Sequence, residues 1–119
     1  QARAADPEAA LASFERALTL DPQDTSVLCN RAMAWLGSGE HQHALEDLGA
    51  AIQMEPRNVT IWSTMGATHL RVGQLRLARL AFLQASRLTW EKGGSKRYAT
   101  GLMVLASAVG LVERLRREP

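Results

Sequence analysis

His41 and His43, the lone thiol of Cys29 and the Gly37-Ser38-Gly39 turn are the residues whose types could do chemistry: metal ligation, nucleophilic attack and phosphate cradling. None has the spacing its chemistry needs. Ligand pairs on a helix stand three or four residues apart so that both side chains share a face, whereas His41 and His43 are two apart and point to different faces. No thiol or carboxylate cluster accompanies them, so no metal is expected. Cys29 has no histidine at a readable spacing, and no serine, histidine and aspartate form a nucleophile elbow or a triad motif. Its expected fate is a small thiol, buried or half-buried. The glycines around Ser38 lack the lysine and the serine or threonine that complete a phosphate loop. The sequence therefore predicts no catalytic residue, no cofactor and no enzyme.

What the chain can build follows from its composition. A length of 119 residues suffices for one domain with two or three packed layers. Aromatics are only 5% and alanine is frequent, which favours close helix–helix packing over a sheet sandwich. The single cysteine excludes an internal disulfide and fits a reducing compartment. No charged-then-apolar leader opens the chain and no apolar run reaches the ~20 residues of a bilayer span, so a soluble, cytoplasmic protein without a membrane span is expected. The first residue is Gln1, and a helical pattern begins within a few residues of it, which predicts a piece of a longer protein.

The net charge of +2 hides an asymmetry, since residues 1–58 carry four arginines against nine acids and residues 59–119 carry ten basic residues against three acids. A basic half can serve nucleic acid or anionic lipid. Here the positive charges are spread along helices with few aromatics to stack bases, so a solvated or protein-facing surface is expected and no nucleic-acid partner.

The elements that hold these residues are read from a repeat. At an offset of 34, Ala10 aligns with Ala44 and Ala78, and Ala17 with Ala51 and Ala85. Phe14, Leu48 and Phe82 recur at one phase, then Leu20, Met54 and Leu88; Asp21-Pro22 is matched by Glu55-Pro56, and Gly39 by Gly73. Within each unit the alanine, the large residue four later and the alanine three after that share one helical face, where small side chains let a neighbouring helix approach. Pro22 and Pro56 end helices because proline lacks an amide hydrogen and restricts the residue before it. Gly39 and Gly73 supply the positive φ of the other turn. The spacing predicts six helices, each antiparallel to its neighbours, over residues 7–20, 25–37, 41–54, 59–72, 75–89 and 95–117.

These residues resemble the tetratricopeptide-repeat family, whose pattern positions are held by Leu28, Arg31, Ala32, Trp35, Ala44, Leu48, Ala51 and Pro56 in residues 25–58. In residues 59–92 they are held by Trp62, Met65, Gly66, His69, Ala78, Phe82, Ala85 and Trp90, so that His69 stands where tyrosine is usual and Trp90 replaces the turn proline. Residues 1–24 then correspond to the second helix of a truncated repeat, and residues 93–119 to a C-terminal capping helix in which Lys96, Ala99, Thr100 and Met103 occupy the pattern positions without the motif. The fold class implied is all-α: helix-turn-helix repeats stacked as a right-handed superhelix.

The resemblance also implies a concave groove lined by the first helix of each repeat, and with it a non-catalytic module that binds a protein or peptide segment. The groove positions are Ser26, Cys29, Asn30, Met33 and Gly37 in one repeat and Thr60, Ser63, Thr64, Ala67 and Arg71 in the next. Asn30 matches the family's asparagine that hydrogen-bonds a bound peptide backbone, and Arg71 is the clear anion partner. One subset of the family grips the acidic tails of cytosolic chaperones through a carboxylate clamp, which wants lysine and arginine where this chain has Thr60 and Thr64. Neutral hydroxyls do not supply the charge-assisted bonds of such a clamp.

The last helix gives an alternative. Leu102, Leu105, Val109 and Val112 form an apolar stripe, and between residues 101 and 112 the one polar side chain is Ser107. An end-capping helix normally keeps a polar outer face. Either the preceding helices cover this surface, or it meets another subunit, giving a self-association module and a homodimer through terminal helices.

Overall fold

The computed structural model describes residues 6–94 and 96–118, apart from the side chains of Pro7, Lys96, Tyr98 and Ala99. Six α-helices account for almost all of these: α1 (Pro7–Leu20), α2 (Thr25–Gly37), α3 (His41–Met54), α4 (Val59–Val72), α5 (Leu75–Glu91) and α6 (Lys96–Arg117). Among the described residues there is no strand, as an alanine-rich chain with a helical period predicts.

Capping residues fix where the helices start. Asp6 accepts a hydrogen bond from the Glu8 amide at 3.0 Å, Asp24 from the Val27 amide at 3.2 Å and Asn58 from the Ile61 amide at 3.3 Å, each satisfying a donor that the first helical turn leaves open. Gly39 and Gly73 hold φ of 78° and 87°, and in both turns the next amide reaches back to a carbonyl five residues earlier: Glu40 to Trp35 at 2.8 Å and Gln74 to His69 at 2.9 Å. These turns make the helix pairs.

The one clear departure from the expected boundaries is α5, which runs past residue 89 to Glu91. Pro56 stops α3 at Met54, but the corresponding Trp90 keeps its amide hydrogen and α5 continues. The stop comes at Gly93, where φ is 69° and the Gly94 amide bonds the Thr89 carbonyl at 2.9 Å. Ser95, the expected first residue of the last helix, lies outside the described residues, as do the side chains of Lys96 and Ala99.

The chain divides into two units, residues 1–56 and 57–119. In the first, α2 packs on both α1 and α3, and its core is Leu28, Ala32 and Leu36 against Ala44, Leu48 and Ala51, all nearly inaccessible. The Thr25 hydroxyl at the start of α2 donates to the Glu55 carboxylate at the end of α3, so the two run antiparallel. In the second, α5 packs on both α4 and α6, around Leu75, Ala78, Phe82, Ala85, Leu102, Ala106 and Val109. Arg57, just before α4, bonds Glu91 at the end of α5 at 3.0 Å, so these helices are antiparallel too. Of the recurring alanines, Ala44, Ala51, Ala78 and Ala85 have no exposed surface, as does Ala32, whereas Ala10 and Ala17 on α1 are half-buried.

Candidate functional site

Each first helix buries one face and gives the other to solvent. On α2, Leu28, Ala32 and Leu36 face the interior, while Ser26, Asn30, Met33 and Gly37 form an exposed stripe at helical spacing with Cys29 half-buried beside it. On α4, Ile61, Gly66 and Thr68 are buried, Thr60, Ala67 and Arg71 are exposed, and Ser63 and Thr64 are half-buried. The ten residues expected to line a groove are therefore partly or fully accessible, five on α2 and five on α4.

Their chemistry is that of recognition. Asn30 offers both an amide donor and a carbonyl acceptor, Arg71 a guanidinium, and Met33, 57% exposed, a flexible apolar side chain. The hydroxyls are less available than their exposure implies. Thr64 Oγ1 donates to the Thr60 carbonyl at 2.8 Å, and Thr68 Oγ1 donates to the Thr64 carbonyl at 2.8 Å. Threonines that bond back to their own helix are poor substitutes for the lysine and arginine of a carboxylate clamp.

The thiol of Cys29 is pushed above the ordinary cysteine range, first by burial and then by the carboxylates of Glu55 and Asp47. It stays protonated at neutral pH, the wrong state for a nucleophile. His43 stacks on Trp35 with ring centroids 4.6 Å apart, and His69 Nδ1 is 2.8 Å from Gln74 Oε1, so both imidazoles are occupied by neighbours. Among the described residues no three ligating side chains come together.

The stripe expected to drive self-association is split by the structure. Leu102 and Val109 are 5% exposed and belong to the core that α5 and α6 share, so they are not free to meet a second copy. Leu105 and Val112 are 45% and 46% exposed. Reading the run as one stripe failed because the true inward face is Leu102, Ala106 and Val109, at spacings of four and three, which leaves Leu105 and Val112 on the flank. Met103, Val104, Leu111 and Leu115 extend that exposed apolar surface.

Two features were missed in the sequence. Arg31 forms a two-pronged ion pair with Asp47 of α3, Nη2 to Oδ1 at 2.6 Å and Nε to Oδ2 at 2.8 Å, with Asp47 almost fully buried. The pair raises the Arg31 pKa, chiefly through the hydrogen bond to Asp47. The other is a cluster of arginines between α5 and α6, whose legible signal was the spacing of Ser107, Gly110, Arg114 and Arg117 along one face.

Comparison with known proteins places this geometry. The family model described as the tetratricopeptide repeat matches residues 3–24. The crystal structure of the Sgt2 TPR domain from Aspergillus fumigatus superimposes with a TM-score of 0.75 at 25% identity, over 95% of this chain and 74% of that one. The chain is similar to tetratricopeptide-repeat proteins in this segment and in its fold. A curated relative in the same fungus, the heat-shock protein cognate co-chaperone sgt12, is 29% identical over 89 residues, which is 75% of this chain and 26% of the relative. The chain thus spans about a quarter of that relative's length. The first TPR of Spaghetti (RPAP3), bound to the HSP90 peptide SRMEEVD, shares the fold with a TM-score of 0.70 at 19% identity, over 86% of this chain and 78% of that one. Among the described residues no helix is long and apolar enough to cross a membrane.

Proposed function

We propose that this chain is a non-catalytic protein-interaction module that binds a peptide or protein segment through exposed helix faces, that of α2 in the first unit and that of α4 in the second. The observation that carries the reading is the sidedness of those helices: core residues fill one face, and Asn30, Met33, Ala67 and Arg71 remain open on the other. On α2 the asparagine suits a peptide backbone, which needs a two-way amide partner, and on α4 the arginine suits an acidic group, which needs a cation. The likeness to a co-chaperone and to a domain holding an HSP90 peptide supports a peptide ligand. Thr60 and Thr64 weigh against a chaperone tail held by the usual clamp. Repeats 25–58 and 59–92, a truncated repeat 1–24 and a capping segment 93–119 form part of the same reading, as does a cytoplasmic setting.

The test is a selection of peptides from a random displayed library against the 119-residue chain. Selected peptides should lose about threefold to tenfold in affinity with Asn30→Ala or Arg71→Ala, the loss of one hydrogen bond at an accessible site. Equal affinity in both variants would place the contact elsewhere.

A second reading has its own observation. Met103, Val104, Leu105, Leu111, Val112 and Leu115 are each 45% exposed or more, an apolar surface of the kind that marks association. On this reading two copies meet through α6, and Leu105→Glu shifts a dimer toward monomer in sedimentation equilibrium. A 13.0 kDa monomer throughout the micromolar range would contradict it.

A further inference from the structure

A cleft of about 570 Å³ opens between α5 and α6, and its lining has an order that packing alone does not require. Ser107, Gly110, Arg114 and Arg117 follow one another at spacings of three and four along α6, so they share one face. Arg79 and Leu83, one turn apart on α5, form the opposite wall.

The arginines are held as well as gathered. Glu113, only 15% exposed, accepts a hydrogen bond from Arg117 Nη2 at 2.7 Å and lies 3.7 Å from Arg79 Nε. That second distance is too long for a hydrogen bond, and Arg79 Nε is a buried donor without a partner. Gly110 lets Arg79 cross α6: a Cβ at that position would lie 3.0 Å from Arg79 Cδ. Three guanidinium groups against one carboxylate leave the cleft with two uncompensated positive charges.

We infer that this cleft is a recognition site for a phosphorylated side chain on a partner polypeptide. A phosphate monoester carries about −1.5 to −2 charges at neutral pH and presents three acceptor oxygens, which matches the cleft's charge and its fork-shaped donors. A single carboxylate would leave one positive charge unmatched. Leu83 gives the rim an apolar contact for the residue beside the phosphate, and the Ser107 hydroxyl is a further donor. None of the lining residues is on α2 or α4, so the site stands apart from the reading given above and does not rest on it.

The test uses the whole chain and a short capped peptide with a central serine between leucines, with and without phosphate on the serine. Fluorescence anisotropy should show the phosphorylated form binding about tenfold tighter or more. Arg114→Gln should lower that affinity about tenfold, as expected for a charge-assisted bond, and Gly110→Ala should lower it as well by displacing Arg79. Arg87→Gln removes the same charge from α5 outside the cleft and should leave the affinity unchanged. Equal affinity for the two peptides would overturn the inference. So would equal losses in Arg114→Gln and Arg87→Gln, since binding would then reflect diffuse positive charge. Adsorption to vesicles containing phosphatidylserine, without preference for the phosphorylated peptide, would assign the cleft to lipid instead.

Discussion

Gly66 of α4 lies directly against the ring of Phe82 on α5, so that a methyl group added at Gly66 would stand 2.7 Å from Phe82 Cε1. Phe82 is 5% exposed and is packed in the core that α5 shares with α6, which leaves the ring little room to move. Gly66→Ala should therefore destabilise the chain by about 1–3 kcal/mol in urea unfolding, although alanine is the better helix former. Adding Phe82→Leu, which removes the obstructing ring edge, should make Gly66→Ala less costly. An additive double variant would refute the contact.

The Arg31 and Asp47 pair is the polar counterpart of that contact in the other unit. Asp47→Ala should cost about 1.5–3 kcal/mol, because a partly buried guanidinium loses two charge-assisted bonds. Replacing both partners by apolar residues, Arg31→Met with Asp47→Leu, should recover much of the loss. A thermodynamic cycle through the two single variants measures the coupling, and a coupling near zero would show that the pair is ornamental.

Cys29 should be a slow thiol. Burial and the nearby Glu55 and Asp47 carboxylates raise its pKa, so the thiolate fraction at neutral pH falls below that of a free cysteine. Alkylation by iodoacetamide should be slower than in the urea-unfolded chain at the same pH, and its rate should climb only above the ordinary thiol range. The sign for stability follows: the folded state keeps the proton longer, so stability decreases as pH rises past the unfolded-state pKa of this group. Equal rates in folded and unfolded chains would contradict the assignment.

Much of this architecture was legible because it rests on local rules. Gly39, Gly73, Pro22 and Pro56 punctuate the chain by backbone sterics alone, and the alanine positions declare the buried faces by size. Where the rule was broken, at Trp90, the reading missed how far α5 would continue. The faces of α2 and α4 could be inferred from the repeat, since a helix that buries Leu28, Ala32 and Leu36 must expose Ser26, Asn30 and Met33. The partners of arginines were not legible. Arg31 and Asp47 are sixteen residues apart on different helices, and Arg79 meets α6 only because Gly110 has no side chain to stop it. Around α6 the apolar run was too continuous for its period to say which residues point inward, and the packing of α5 decided it.

Binding at the exposed faces of α2 and α4 is visible residue by residue in backbone amide spectra. A library-selected peptide titrated into the ¹⁵N-labelled chain should shift the amides around Asn30, Met33, Ala67 and Arg71, and Asn30→Ala should raise the dissociation constant read from the same shifts. Perturbations confined to α6, with the α2 and α4 amides unmoved at saturation, would contradict the account.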